Sequence, residues 1–201
     1  MPARLGAVAV LMLAVATTAV AQTPVEAARA LVARYHEDKL AAYDQGRQLG
    51  ERAVELAPRN AEAHVWYAIN TGRYGQTKGI MRSLFLLPTV RREIDTILSL
   101  DPKNVRAHSL AGNVDMEVPR IAGGDRARAE DHFKKGLAID PRFTVLRVDL
   151  ARLYIAAGRY PEARQELTRV LEERAPRMVA DWTVKDAPRA RTLLESIKDK
   201  R

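Results

Sequence analysis

Four times along the chain, a stretch of regularly spaced apolar residues runs into a proline followed by a basic residue. The segments are Leu56-Ala57-Pro58-Arg59-Asn60, Leu100-Asp101-Pro102-Lys103-Asn104, Ile139-Asp140-Pro141-Arg142-Phe143 and Arg174-Ala175-Pro176-Arg177. Proline lacks the N–H that a helix interior needs and pushes the preceding residue out of helical geometry. Each segment is therefore a helix stop. The prolines lie 44, 39 and 35 residues apart, and a stop recurring at such intervals indicates stacked helical repeats. The stretch before each stop carries the same apolar ladder. It reads Val90, Ile94, Ile97, Leu98 before Pro102, then Ala129, Phe133, Gly136, Leu137 before Pro141, and Ala163, Leu167, Val170, Leu171 before Pro176. These positions form one stripe of an α-helix. Gly46, Gly50, Ala53 and Val54 repeat the spacing before Pro58 with smaller residues, and the two glycines lower helix propensity there.

A second helix precedes each ladder, over Ala61 to Thr71, Val105 to Met116 and Thr144 to Ala157. Each places a small residue near its middle, in Tyr67-Ala68, Ala111-Gly112 and Leu150-Ala151, so that the partner helix can approach closely. The last repeat, Leu150-Ala151-x-x-Tyr154-x-x-x-Gly158-x-Tyr160-x-x-Ala163-x-x-x-Leu167, resembles the tetratricopeptide repeat, with Arg147 where that repeat carries tryptophan. The small residues of the two helices are 12 apart in this repeat, but 17 and 22 apart in the two before it. Those repeats therefore hold insertions of 5 and 10 residues, around Val118 to Asp125 and Lys78 to Leu87. Ile80, Met81, Leu84, Phe85, Leu86 and Leu87 make the longer one apolar enough to fold over a groove or to extend a helix.

The combination Ala63-His64-x-Trp66-Tyr67-Ala68, Leu100-Asp101-Pro102, His108-x-x-x-Gly112 and Val118-Pro119 resembles the helical repeat of the regulator of microtubule dynamics family, which has bacterial members. Pro119-x-x-x-Gly123-Gly124-Asp125 with Ala129-x-x-x-Phe133 is similar, less closely, to the T-component of tripartite ATP-independent periplasmic transporters. Together the resemblances run over roughly Glu55 to Ile197. They imply an all-α, right-handed superhelical stack of antiparallel helix pairs, with pairs near 24–58, 61–102, 105–141 and 144–176. They also imply a surface that binds, since neither family brings a catalytic motif to match.

The ends of the chain have their own signals. Arg4, the apolar run from Leu5 to Ala16 and the small-x-small exit Ala19-Val20-Ala21 describe a secretory signal peptide over residues 1–21, with an uncleaved anchor as the alternative. The expected location is periplasmic or secreted, without a stable membrane span once the segment is cut. Ala28, Leu31, Val32 and Tyr35 make a helical face, and His36-Glu37-Asp38 reads as a polar break between the two helices of the first pair. At the other end, Met178 to Lys185 reads as a connecting loop holding Trp182. Asp186 then caps a terminal helix over 186–199 with Pro188 in its first turn, and Ala190, Leu193, Leu194 and Ile197 face the last repeat.

The chemistry of the chain is sparse. With no cysteine, disulfides, zinc–thiolate sites, a cysteine nucleophile and an acylated cysteine are all excluded. The net charge of +8 comes from basic residues interleaved with acids, as in Asp125-Arg126-Ala127-Arg128-Ala129-Glu130-Asp131, which reads as a mixed-charge surface and not a nucleic-acid site. His64 and His108 hold matching repeat positions. Either they share a metal or each packs between helices with its ring nitrogens bonded locally. Gly123-Gly124 before a helix could cradle an anion or simply turn the chain. Serine-elbow, phosphate-loop and zinc-helix motifs are absent. The expected activity is non-catalytic, with no cofactor. The first helices of stacked pairs line a concave groove, and by position that face holds Ile69, Arg73, Ser109, Asn113, Met116, Arg152 and Ile155, flanked by Trp66. This mixture of apolar and hydrogen-bonding groups suits a protein or peptide partner in the cell envelope, or alternatively an apolar small ligand carried for a transporter.

Overall fold

The computed structural model describes residues 24–200, with side chains from residue 38 onward. Nine helices follow in order among these residues: α1 Pro24–Leu56, α2 Ala61–Lys78, α3 Ile80–Leu100, α4 Val105–Glu117, α5 Arg126–Ile139, α6 Thr144–Ala156, α7 Tyr160–Glu172, α8 Val179–Asp181 and α9 Ala187–Ser196. A 3₁₀ turn, Arg120–Ala122, lies between α4 and α5, and a π turn, Trp182–Asp186, joins α8 to α9. No strand occurs among the described residues. The fold is an all-α stack of helix hairpins of the tetratricopeptide type. By contact density the chain divides into residues 1–42, of which helical backbone from Pro24 is described, and a compact unit from Tyr43 to Arg201.

The helix stops work as the prolines require, and the residue before two of them strengthens the turn. Asp101 Oδ1 accepts the Lys103 N–H at 3.1 Å, and Asp140 Oδ1 accepts the Arg142 N–H at 3.0 Å. Each carboxylate thereby mimics a backbone turn across its proline. The chain then re-enters a helix under a cap. Asn60 accepts from Glu62 N, Asn104 from Ala107 N, and Asp125 from both Ala127 N and Arg128 N. Such side-chain caps satisfy donors that the first helical turn leaves unpaired, at about 1 kcal/mol each.

The three ladders are buried alike. Val90, Ile94 and Ile97, then Ala129, Phe133 and Gly136, then Ala163, Leu167 and Val170 are inaccessible to solvent, while Leu98, Leu137 and Leu171 are half-buried at the rim. The largest cluster joins α5, α6, α7 and α9 through Phe133, Leu146, Leu150, Leu153, Leu167 and Ile197. Smaller clusters hold α2, α3 and α4 together. The glycines of the first ladder are there because α1 and α2 approach closely. A Cβ on Gly50 would sit 2.7 Å from Tyr67 Cα, and one on Gly46 would sit 2.4 Å from Asn70 Oδ1.

Three expectations need correction. Residues 24–58 are not a helix pair, because α1 runs unbroken through His36-Glu37-Asp38. That triplet contains neither glycine nor proline, and polar residues alone do not stop a helix. Met178 to Lys185 is not a loop but α8 and most of the π turn, anchored where Trp182 Nε1 donates to Val170 O at 2.7 Å. Asp186 does not cap α9. Its backbone is already helical, and its buried carboxylate instead accepts the Thr144 hydroxyl at 2.7 Å. The longer insertion takes the second of its two forms, lengthening α2 and α3 by about a turn or more each beside Gly79. The signal segment 1–21 and the side chains of Ala28, Leu31, Val32 and Tyr35 lie outside the described residues.

Candidate functional site

The first helices of the three full hairpins, α2, α4 and α6, carry the eight residues expected to meet a partner. Between α2 and α4 the link is Glu62. Its Oε1 accepts Trp66 Nε1 at 2.9 Å and Arg106 Nη1 at 2.9 Å, and the Arg106 guanidinium lies 5.5 Å over the Trp66 ring. Trp66 is thus held on edge and remains 48% exposed. Between α4 and α6 the link is Asp149, which is buried. Asn113 Nδ2 donates to Asp149 Oδ2 at 2.9 Å and to Ser109 O at 2.9 Å. Arg152 Nη1 donates to Asp149 Oδ1 at 3.2 Å, and its Nη2 reaches back to Glu117 Oε1 on α4 at 2.7 Å. Burial opposes the Arg152 charge, but Glu117 and Asp149 overcome it and hold the guanidinium protonated.

Asn113 and Arg152 are therefore brought together as links between neighbouring hairpins, while Ser109 contributes only its carbonyl, within α4. Ile69 leans on the α2–α4 cluster, and Met116 and Ile155 lean on the larger one, each half-buried. Arg73 stands apart and exposed. The functional side chains that sequence reasoning missed are Glu62, Arg106, Glu117 and Asp149. Asp149 three residues before Arg152, and Glu62 four before Trp66, were visible as same-face pairs. Their partners on the next hairpin were not.

The histidines take the second reading. His64 Nε2 is 2.9 Å from Pro58 O, and its Nδ1 is 2.6 Å from Glu93 Oε2 on α3. His108 Nε2 is 3.3 Å from Pro102 O, and its Nδ1 is 3.1 Å from His132 Nδ1 on α5. The third hairpin repeats the device with arginine. Arg147 Nη2 donates to Pro141 O at 3.0 Å, and Nη1 donates to Glu166 Oε2 on α7 at 2.7 Å. Six residues after each of the first three stops, one side chain ties the stop's carbonyl to the second helix. This explains the substitution of Arg147 for tryptophan.

Gly123-Gly124 is a turn and not an anion cradle, because its donors are taken. Gly124 N–H bonds Pro119 O, Asp125 N–H bonds Asp115 O, and the N–H groups of Ala127 and Arg128 bond the Asp125 carboxylate. Those last two bonds hold the Asp125 carboxyl below the usual range. A Cβ on Gly124 would lie 1.8 Å from Val118 O, so only glycine fits. Arg91 and Arg128 both donate to Gly123 O, and Arg128 also makes a two-pronged pair with the buried Asp115.

Two open depressions occur elsewhere, one among Tyr74, Lys78, Met81, Arg82 and Phe85, the other among Arg147, Arg169, Glu172, Glu173 and Arg174. Neither is lined by any of the eight. No helix among the described residues is long and apolar enough to cross a membrane.

The sequence profile of the family described as regulator of microtubule dynamics protein 1-3 matches residues 20–130, and a tetratricopeptide repeat profile matches residues 120–181. Regulator of microtubule dynamics protein 3 of Bos taurus is 27% identical over 143 residues, which are 63% of this chain and 30% of that protein. Regulator of microtubule dynamics protein 2 of Homo sapiens is 26% identical over 90 residues, 45% of this chain and 22% of that protein. The chain thus spans less than a third of the length of these relatives. Among solved structures, a thermophilic tetratricopeptide protein of Thermus thermophilus superposes with a TM-score of 0.60 at 23% identity, over 75% of this chain and 74% of that one. MamA superposes at 0.52 with 13% identity, over 78% and 91%. At these identities the structures speak to the fold alone.

Proposed function

The chain belongs to the regulator of microtubule dynamics protein 1-3 family, and from that premise we propose that it is an exported, non-catalytic scaffold gripping a protein or peptide partner of the cell envelope along α2, α4 and α6. One observation carries this reading. The face is stiffened by links between hairpins, Glu62 to Arg106 and Asn113–Asp149–Arg152–Glu117, the second centred on the buried Asp149, while Trp66 and Arg73 stay available. A surface ordered before binding loses less side-chain freedom when a partner arrives, and a half-exposed tryptophan beside arginine is the residue pair that interfaces favour. Export rests on the pattern of residues 1–21, and the relatives' names describe proteins much longer than the matched segment.

Asn113 and Arg152 brace the hairpins, so replacing them would confound stability with binding. A photo-crosslinking residue at Arg73, Ser109 or Ile155 is the cleaner probe, with Lys134 and Thr168, exposed on second helices, as controls. Crosslinks to one envelope protein from the first three positions only are expected. Crosslinks from the control positions, or from none, would end the groove reading. Export is tested separately. A mature N-terminus at Gln22 in the periplasmic fraction supports it, and a cytosolic chain retaining residues 1–21 removes it.

A further inference from the structure

The turn end of the α2–α3 hairpin gathers exposed apolar residues and basic residues together. Gly79, with φ 104°, reverses the chain, and α3 begins at once with Ile80, Met81, Leu84 and Phe85 on one face of its first two turns. Their exposures are 76%, 78%, 40% and 72%, and none joins the buried clusters. Scattered exposed apolar residues are ordinary, but a contiguous group marks an interaction site.

The charge around it is one-sided. Between Glu62 and Glu93 the sequence holds no acidic residue and five basic ones, Arg73, Lys78, Arg82, Arg91 and Arg92. Arg91 and Arg92 are turned toward Asp115 and Glu93. Lys78 and Arg82 are not ion-paired among the described residues. Arg82 lies 5.7 Å over Tyr74 and 5.2 Å over Phe85, and Lys78 lies 6.0 Å over Tyr74. On the neighbouring helix, Asp44 is already engaged by Arg47 at 3.0 Å. Elsewhere the arginines Arg106, Arg128, Arg147, Arg152 and Arg159 all meet carboxylates. At this tip, cations without carboxylates coincide with four neighbouring apolar side chains that lack cover.

We propose that the α2–α3 tip docks on an anionic bilayer surface, Ile80, Met81 and Phe85 entering the headgroup boundary while Lys78 and Arg82 meet lipid phosphates. The apolar residues project from the end of a hairpin with nothing in their side chains to read a partner by hydrogen bonds. The depression beside them is open, not a two-walled slot for a partner helix. A projecting apolar end ringed by basic residues suits the boundary between headgroups and acyl chains, to which apolar burial and anionic attraction both contribute. This proposal is independent of the groove.

The absence of cysteine permits a site-specific test in the full chain. Met81→Cys carries an environment-sensitive fluorophore, with Thr168→Cys as the control. Vesicles are phosphatidylcholine alone or equimolar phosphatidylcholine and phosphatidylglycerol. The label at 81 should shift to the blue only with phosphatidylglycerol, the control should not shift, and added salt should weaken the response. Lys78→Gln with Arg82→Gln should weaken binding roughly 30-fold, with helical circular dichroism unchanged. Four results would overturn the proposal: vesicles that sediment the protein without moving the label, an equal shift on neutral vesicles, a blue emission already present without lipid (the chain's own N-terminal residues covering the tip), or a shift that follows protein concentration alone (a second copy covering it).

Discussion

Gly112→Ala should destabilise the protein even though it replaces glycine inside a helix with the best helix former. Gly112 lies in the middle of α4 and faces the Phe133 ring of α5. A Cβ added there would stand 2.4, 2.6 and 2.9 Å from three ring carbons. Carbon atoms rest about 3.5–4.0 Å apart, so the ring must retreat by roughly 1 Å. Phe133 is completely buried within the largest cluster, among Leu146, Ala129 and their neighbours, and has no space to retreat into. Overpacking of this kind costs about 1–3 kcal/mol, against a helix-propensity gain of about 1 kcal/mol. A net loss of up to roughly 2 kcal/mol is expected, lowering the melting midpoint by up to about 8 °C. Gly72→Ala is the internal control. A Cβ at Gly72 in α2 meets nothing within 4 Å, so that variant should gain up to about 1 kcal/mol. Shrinking the ring with Phe133→Leu should relieve the clash, giving the pair a coupling of about 1–2 kcal/mol in a double-mutant cycle. Urea denaturation followed by helical circular dichroism measures the parent and all four variants. If Gly112→Ala matched the gain of Gly72→Ala, or if the double variant were simply additive, the contact between α4 and α5 would not be as close as described.

Two further outcomes follow from buried titratable groups. Burial lowers the pKa of both His108 and His132, and mutual repulsion together with Lys135 lowers that of His132 further, against the opposing pull of Asp131 and Asp115. The folded chain therefore resists protons that the unfolded chain accepts below about 6.5, so stability holds above that pH and falls as pH drops. His132→Glu, which copies Glu93 and Glu166 of the flanking hairpins, should flatten the decline in urea midpoint between neutral and mildly acidic pH; an unchanged profile would clear the pair of responsibility. Burial raises the Asp186 carboxyl above its ordinary value, with the Thr144 hydrogen bond opposing, so its charge costs stability above the raised pKa and the cost fades as pH falls. Asp186→Asn should gain stability at neutral pH, while Asp186→Ala, leaving the buried Thr144 hydroxyl without its acceptor, should lose it in a calorimetric scan.

What the sequence made legible is what one helix determines by itself. Proline stops, the ladder before each stop, the Asp125 cap and the pairs Glu130–Lys134 and Asp131–Lys135 all stand as read, the last two at 2.6 and 2.8 Å. Each depends on residues within one or two turns. The bracing of the candidate face was not legible, because Arg106 could have paired with any acid and reaches Glu62 only once α2 and α4 are side by side. Proximity in sequence also misled. Asp186 before Pro188 has the form of a cap, yet the π turn keeps its backbone helical and gives its carboxylate to Thr144, 42 residues away.

The insertions leave one end of every hairpin untouched. The residue six positions after each of the first three stops reaches a partner on the second helix 29, 24 and 19 residues on, in chain order. Those separations fall by the same steps as the insertions of 10, 5 and 0 residues read from the sequence. The clamp joining stop, first helix and second helix is therefore geometrically constant, and added length can emerge only at the opposite end, as the extended α2–α3 tip and the 3₁₀ turn before α5. Glu62 and Arg106 join neighbouring hairpins at the clamped end, and Arg91 and Arg152 reach across farther along, to Gly123 and Glu117. The α2–α3 tip extends past these links, and it is there that the chain places uncovered apolar residues. A deletion of 10 residues between Lys78 and Leu87 should accordingly leave the stack folded and remove the tip's chemistry alone.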